Sequence, residues 1–215
     1  MNVFDKLISA IKKKEELGDK YGIFALSINE HGGRKYYVKK YEDLADEYEI
    51  QYKNNDEKDV MLTYDEVLLN NGPISFIVDI DLGFDTMYVK IDEKEFIDAC
   101  IIYIKAVEEC AKLLFNIDKS NMRAKIYWRI STYKHSVHIG NKGLVFDNMT
   151  DLRNFVLFVD YKRFLLENID KRLLKWSVVN GIKEIKSAVD YAIYDVPHCL
   201  RLIFTKKSSV SYVNM

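Results

Sequence analysis

Ile74-Ser-Phe-Ile-Val78 reads as a buried strand, introduced by Asn70-Asn-Gly-Pro73 and running into Asp79-Ile-Asp81-Leu-Gly83. Side chains at i and i+2 of a strand point to the same face, so Asp79 and Asp81 share one. Two carboxylates that close repel each other unless a proton or a cation intervenes. The pair is therefore a candidate site for a hard, oxygen-preferring cation such as Mg²⁺ or Mn²⁺.

Working outward, Asp92 with Glu95 forms the pattern of a capping box, and Ile97, Ile101, Ile104, Val107, Ala111 and Leu114 follow at helical spacing. Strands are expected over 124–130 and 136–139, and a helix over about 151–166. Towards the start, residues 2–17 read as one amphipathic helix stopped by Gly18. Residues 22–28 and 35–39, separated by Glu30-His-Gly-Gly33, read as a hairpin, and a polar helix is expected over 41–49. Strands at 189–194 and 200–204 close the chain. Helices and strands mix without a regular βαβ alternation, which predicts an α+β fold rather than a doubly wound sheet.

The chain has 215 residues, 48% of them hydrophobic, with two prolines and nine glycines and no linker-like stretch, so one ordered domain over 1–215 is expected. Its apolar stretches are too short to span a membrane and its start lacks a charged-then-apolar signal region, which predicts an intracellular protein, cytoplasmic or nuclear. Cys100, Cys110 and Cys199 fit no disulfide framework and read as core residues. Although the net charge is −1, residues 119–215 hold 17 Lys and Arg against 8 Asp and Glu, and residues 1–118 hold 15 against 25. That asymmetry fits a basic face tracking phosphates beside metal-binding acids, and fits equally a basic half neutralised in space by an acidic one.

Two further clusters carry candidate chemistry. Lys134-His135-Ser136-Val137-His138 places Lys134, Ser136 and His138 in one alternating series, all able to donate to phosphate oxygens; a polar, solvated edge strand has the same pattern. Asp190, within Ser187-Ala-Val-Asp190-Tyr-Ala-Ile-Tyr194, can complete a metal site. Arg201, Lys206 and Lys207 follow it, with surface ion pairing as the plain alternative. Asp-x-Asp alone is also common in loops and in sugar transferases that bind a nucleotide-sugar with Mn²⁺.

In this order, Asp79-x-Asp81, Ser136-x-His138 and Asp190 followed by a basic strand, the chain resembles the archaeo-eukaryotic primases. It is most similar to PrimPol-type primase-polymerases and to the primase domains of large DNA viruses of the poxvirus primase-helicase type. Phe24-Ala-Leu, Arg34-Lys-Tyr-Tyr-Val38, Tyr41 and Glu66 look like the amino-terminal module of the former, and the later motifs look like the viral domains. Asp79-x-Asp81 itself is nearer the viral form than the Asp-x-Glu of PrimPol.

The resemblance spans about residues 22–207 and implies an N-terminal αβ module over about 1–70, packed on an RRM-like sheet with helices over about 71–210. It implies a nucleotidyltransferase, a DNA-directed primase-polymerase of DNA replication working by two-metal phosphoryl transfer with Mg²⁺ or Mn²⁺. Asp79, Asp81 and Asp190 would be the catalytic metal ligands, and Lys134, Ser136, His138, Arg201 and Lys206 would hold an NTP or dNTP. Arg129, Lys142 and Lys207 would meet the single-stranded DNA template, with Tyr127, Trp128 and Tyr133 available for base stacking and Tyr48 as a sugar gate. Implied partners are a replicative helicase or a zinc-binding primase module on another chain. A catalytically silent replication partner with the same fold, or a nucleotide-sugar transferase, are the rival expectations.

Overall fold

The computed structural model describes residues 2–27, 33–54, 64–70, 72–129, 133–165, 170–195 and 197–201. In chain order these form β1 (Asn2–Phe4), α1 (Leu7–Leu17), β2 (Tyr21–Ser27), β3 (Arg34–Lys40), α2 (Tyr41–Asn54), β4 (Tyr64–Leu68) and β5 (Ile74–Gly83). There follow α3 (Glu93–Phe115), β6 (Ala124–Arg129), β7 (Lys134–Phe146), α4 (Met149–Leu165), β8 (Leu174–Val179), β9 (Ile182–Ser187) and β10 (His198–Arg201). Short 3-10 turns occupy Lys119–Asn121, Lys171–Leu173 and Tyr191–Tyr194. Helices combine with antiparallel sheets throughout, so the fold is α+β, as the irregular order of elements predicts. Two compact units result, one of Met1–Leu69 with Pro197–Met215, the other of Asn70–Val196. Among the described residues no helix is long and apolar enough to cross a membrane.

The first unit is built on a sheet ordered β1-β3-β2-β4-β10. Alternation along β2 sends Ile23 and Ala25 to a core with Ala10 of α1, Val38 and Val67, while Phe24 points the other way to Leu44 of α2. The hairpin read from the sequence is β2 and β3. The helix expected over 2–17 is divided: Val3 stands opposite Tyr37 in the β1–β3 ladder, and only Leu7 onward is helical. The backbone of β1 finds its partners in β3, and that outweighs a longer helix. Of the strand expected over 200–204, Leu200 and Arg201 belong to β10, which pairs with β4, and 202–204 lie outside the described residues.

The second unit holds the sheet β5-β7-β6. On β5, Phe76, Val78, Ile80 and Leu82 are at most 2% exposed, and Ile77, Asp79 and Asp81 occupy the other face. Burying each of those four apolar side chains contributes roughly 2 kcal/mol relative to exposure. α3 and α4 cover this face: the Phe155 ring of α4 meets Phe76 at 6.1 Å, edge to face, and Phe96 of α3 stacks on His135, whose neighbour across the ladder is Leu82.

The capping box of α3 is formed, with Asp92 Oδ1 accepting from the Glu95 amide at 2.8 Å and Glu95 Oε2 accepting from the Asp92 amide at 3.0 Å. Its buried stripe is Phe96, Ala99, Cys100, Tyr103, Val107, Cys110 and Ala111, whereas Ile101 and Leu114, part of the helical repeat in the sequence, are exposed. Apolar residues surround so much of this helix that spacing alone leaves its rotation ambiguous. Packing of Phe96 and Tyr103, both fully buried, settles it.

β8 and β9 make a two-stranded hairpin that the sequence reading passed over. Its turn is Asn180-Gly181, with φ of 51° and 78°. Two consecutive left-handed residues are the type I′ geometry that the twist of a tight hairpin selects, and Asn-Gly is the pair that adopts it most readily.

Candidate metal centre

The site is assembled from three segments that meet on the face of β5 turned away from the helices. In the β5–β7 ladder Asp79 stands directly opposite His138, Asp81 opposite Ser136 and Gly83 opposite Lys134. Residues facing each other across antiparallel strands share a sheet face, so the acidic pair and the donor series are brought together by register alone.

The third segment lies along the other edge of β5. Val189 bridges Ile80, the Asp81 amide donates to the Ala188 carbonyl at 2.9 Å, and the Asp190 amide donates to the Asp79 carbonyl at 2.8 Å. Asp190 therefore flanks Asp79. Residues 189–194, expected as a strand, make only this bridge before turning into the 3-10 turn Tyr191–Tyr194. The Asp190 side chain starts that turn by accepting from the Ala192 amide at 3.0 Å, a local capping bond that competes with continued strand pairing. At its far end the Tyr194 hydroxyl donates to the Ile77 carbonyl at 2.9 Å.

One carboxylate oxygen from each of Asp79, Asp81 and Asp190 lies within 4.8 Å of the others. Among the described residues, Asp79 Oδ1 and Asp81 Oδ1 are buried with no hydrogen-bond partner, an arrangement that costs free energy unless something positive is bound. Oxygen donors, buried lone pairs and their convergence all fit a hard divalent cation, so this acidic triad can hold a metal ion.

The remaining oxygens have protein partners: Lys134 Nζ donates to Asp81 Oδ2, and His138 Nε2 lies 3.5 Å from Asp79 Oδ2. Burial acts to raise the Asp81 pKa. Hydrogen bonds from Lys134 and Ser136, with the charges of Lys134 and Lys175, outweigh it and hold the carboxyl below its ordinary value.

No family model and no curated protein matches this chain.

Of the residues singled out in the sequence, Asp79, Asp81, Asp190, Lys134, Ser136 and His138 are gathered at one place. Arg129 pairs with Ser136 across β6 and β7, so its backbone adjoins them, but its side chain lies outside the described residues, as do those of Tyr127 and Trp128. Lys142 is not gathered in: it is exposed, six residues beyond Ser136 and so roughly 20 Å along the strand. Arg201 belongs to β10 of the first unit, opposite Asp65, and its side chain, with that of Tyr48, lies outside the described residues. Lys206 and Lys207 lie outside them altogether. Tyr133 is 58% exposed next to Lys134. His135 points to the opposite face, between Phe84 and Phe96.

Two contributors escaped the sequence reading. Lys175 of β8 reaches the Asp81 carbonyl at 3.3 Å, and the signal that would have revealed its strand is the Asn180-Gly181 turn between two alternating runs. Asp160 of α4 accepts from the Tyr191 hydroxyl, next to Asp190, and is paired with Arg163 at 3.0 Å, both side chains being under 10% exposed. A buried acid on a helix carries no such signal in the sequence.

Proposed function

We propose that the chain is a metal-dependent nucleotidyltransferase of the primase-polymerase kind, joining nucleoside triphosphates on a single-stranded DNA template. The observation that carries this reading is the convergence of Asp79, Asp81 and Asp190 opposite Ser136 and His138. Those are the motifs whose order along the chain resembles the archaeo-eukaryotic primases, and their meeting in space is what a shared task requires. The α+β framework, with helices on one face of the sheet and the carboxylates on the other, agrees with a primase-like catalytic domain.

In this reading Asp79, Asp81 and Asp190 hold Mg²⁺ or Mn²⁺, which when bound activates a 3′-hydroxyl and steadies the triphosphate leaving group. The chain's own work is positioning and charge. Ser136 and His138 offer donors to phosphate oxygens, and Lys134 balances Asp81. Asp190, clamped between the β5 backbone and its own 3-10 turn, is held ready as a ligand. A replicative helicase or a zinc-binding module on another chain belongs to the same proposal.

The test is incorporation of labelled nucleotides on unprimed and primed single-stranded DNA with Mg²⁺ or Mn²⁺. Wild-type product is expected, with a loss on the order of a thousandfold in Asp79→Ala and in Asp81→Ala. Synthesis that persists in the double variant would remove the carboxylates from the reaction. No product from the wild type, with transfer from a uridine diphosphate sugar in its place, would make the chain a sugar transferase.

A further inference from the structure

The β8–β9 hairpin is tied to the carboxylate strand at its base. Met87, just past β5, bridges Lys175; the Trp176 amide donates to the Thr86 carbonyl at 2.7 Å, and the Ala188 amide to the Leu173 carbonyl at 2.8 Å. Ala188 is the residue whose carbonyl accepts from the Asp81 amide. One face of the hairpin is thereby set beside Asp81.

That face carries Lys175 and, directly opposite it in the ladder, Lys186. Like charges facing each other across antiparallel strands repel, and the arrangement becomes favourable when an anion lies between them. Lys175 is half-buried and uses one of its three donors on the Asp81 carbonyl; among the described residues no carboxylate forms an ion pair with it. Lys186 is 45% exposed and only loosely paired, 3.6 Å from Glu184. Lys175 thus stands beside Asp81 with donors unspent, and Lys186 faces it across the ladder.

We propose that Lys175 and Lys186 grip the phosphate chain of a nucleoside triphosphate whose metal ion is held by Asp79, Asp81 and Asp190. The proposal rests on the reading of the site given above and adds to it the residues that take the phosphates from the hairpin side. Metal ion and carboxylates account for one side of the triphosphate, Ser136 and His138 for another, and the hairpin lysines neutralise the remaining negative charge through charge-assisted hydrogen bonds.

The experiment is calorimetric titration of the whole chain with ATP and with dATP in calcium, which allows binding without turnover, beside titration with Mn²⁺ alone followed by electron paramagnetic resonance. Lys175→Met and Lys186→Met should each weaken triphosphate binding about tenfold, the factor that roughly 1.4 kcal/mol represents. Lys186→Met should leave Mn²⁺ binding within about twofold, and Lys186→Arg should restore triphosphate affinity. Because Lys186 is exposed, its variant tests the idea even if Lys175→Met folds poorly. Triphosphate affinity unchanged in Lys186→Met would overturn the proposal while leaving the metal site standing. Wild-type binding of Mn²⁺ without any triphosphate would overturn it too. Failure to bind Mn²⁺ would remove the carboxylate reading and the proposal together.

Discussion

Asp81 is the residue on which the electrostatics of the site turn. It is pulled towards neutrality by burial and towards charge by Lys134, Ser136 and Lys175, and the second set prevails. Its folded pKa therefore lies below the unfolded value. The stabilisation it brings is fully present above the ordinary carboxylate range and is lost as pH falls below about 3.8 through the folded value. Lys134→Met removes the largest opposing influence and leaves burial in place. In metal-free protein the Asp81 midpoint should then move up from its lowered position, and the stabilisation it brings should be lost at a higher pH as the solution is acidified. Carboxyl-carbon NMR titration with a chelator present would read this directly; a midpoint that does not move would refute it. Asp79 and Asp81 were legible as a same-face pair because strand alternation is a local rule. Their orphaned oxygens were not, because an unpaired lone pair is defined by everything that fails to surround it.

At the scale of elements, the turn after Asp190 is held from behind. Tyr191 donates to Asp160, whose partner Arg163 sits 4.7 Å over the ring of the fully buried Tyr103. Burial, followed by the Asp160 charge and hydrogen bond, pushes the Tyr191 phenol far above its ordinary range, so it remains a donor at every working pH. Through that bond α4 braces the 3-10 turn whose first amide pairs the Asp190 carboxylate. Tyr191→Phe keeps the ring and removes the hydroxyl. Mn²⁺ binding should weaken by up to about tenfold, the low end of what an outer partner of a ligand contributes, because the hydroxyl acts on Asp190 only through the turn, and the thermal midpoint without metal should change far less. Equal Mn²⁺ affinity in the variant would make the contact purely structural. The helices α3 and α4 were legible from period and capping, whereas the 3-10 turn Tyr191–Tyr194 reads as strand in the sequence. The rotation of α3 and the place of Asp160 were not, because both depend on which neighbour arrives.

At the scale of the molecule, the contrast between a basic later half and an acidic earlier half does not survive folding. The unit of Asn70–Val196 holds 18 Lys and Arg against 18 Asp and Glu, and the remainder of the chain holds 14 against 15. Any basic face is therefore local, as at Lys134, Lys175 and Lys186, rather than the property of a half. Binding to single-stranded DNA should still weaken with salt: with about four phosphates contacted, by roughly fiftyfold between about 50 mM and about 200 mM. Fluorescence anisotropy with a labelled oligonucleotide would measure it, and an affinity indifferent to salt would contradict the proposed template contact. The linear order of residues was enough to establish the α+β class, the shared face of Asp79 and Asp81, and the strand series Lys134, Ser136 and His138, because each follows from repeats of two or three to four residues along one segment. Bringing Asp190 to the edge of β5, setting the Lys175 and Lys186 hairpin beside Asp81 and returning β10 to the first sheet took long-range backbone pairing. Such pairing joins segments from about ninety to well over a hundred residues apart through hydrogen bonds that are alike for every sequence, so no local pattern records it.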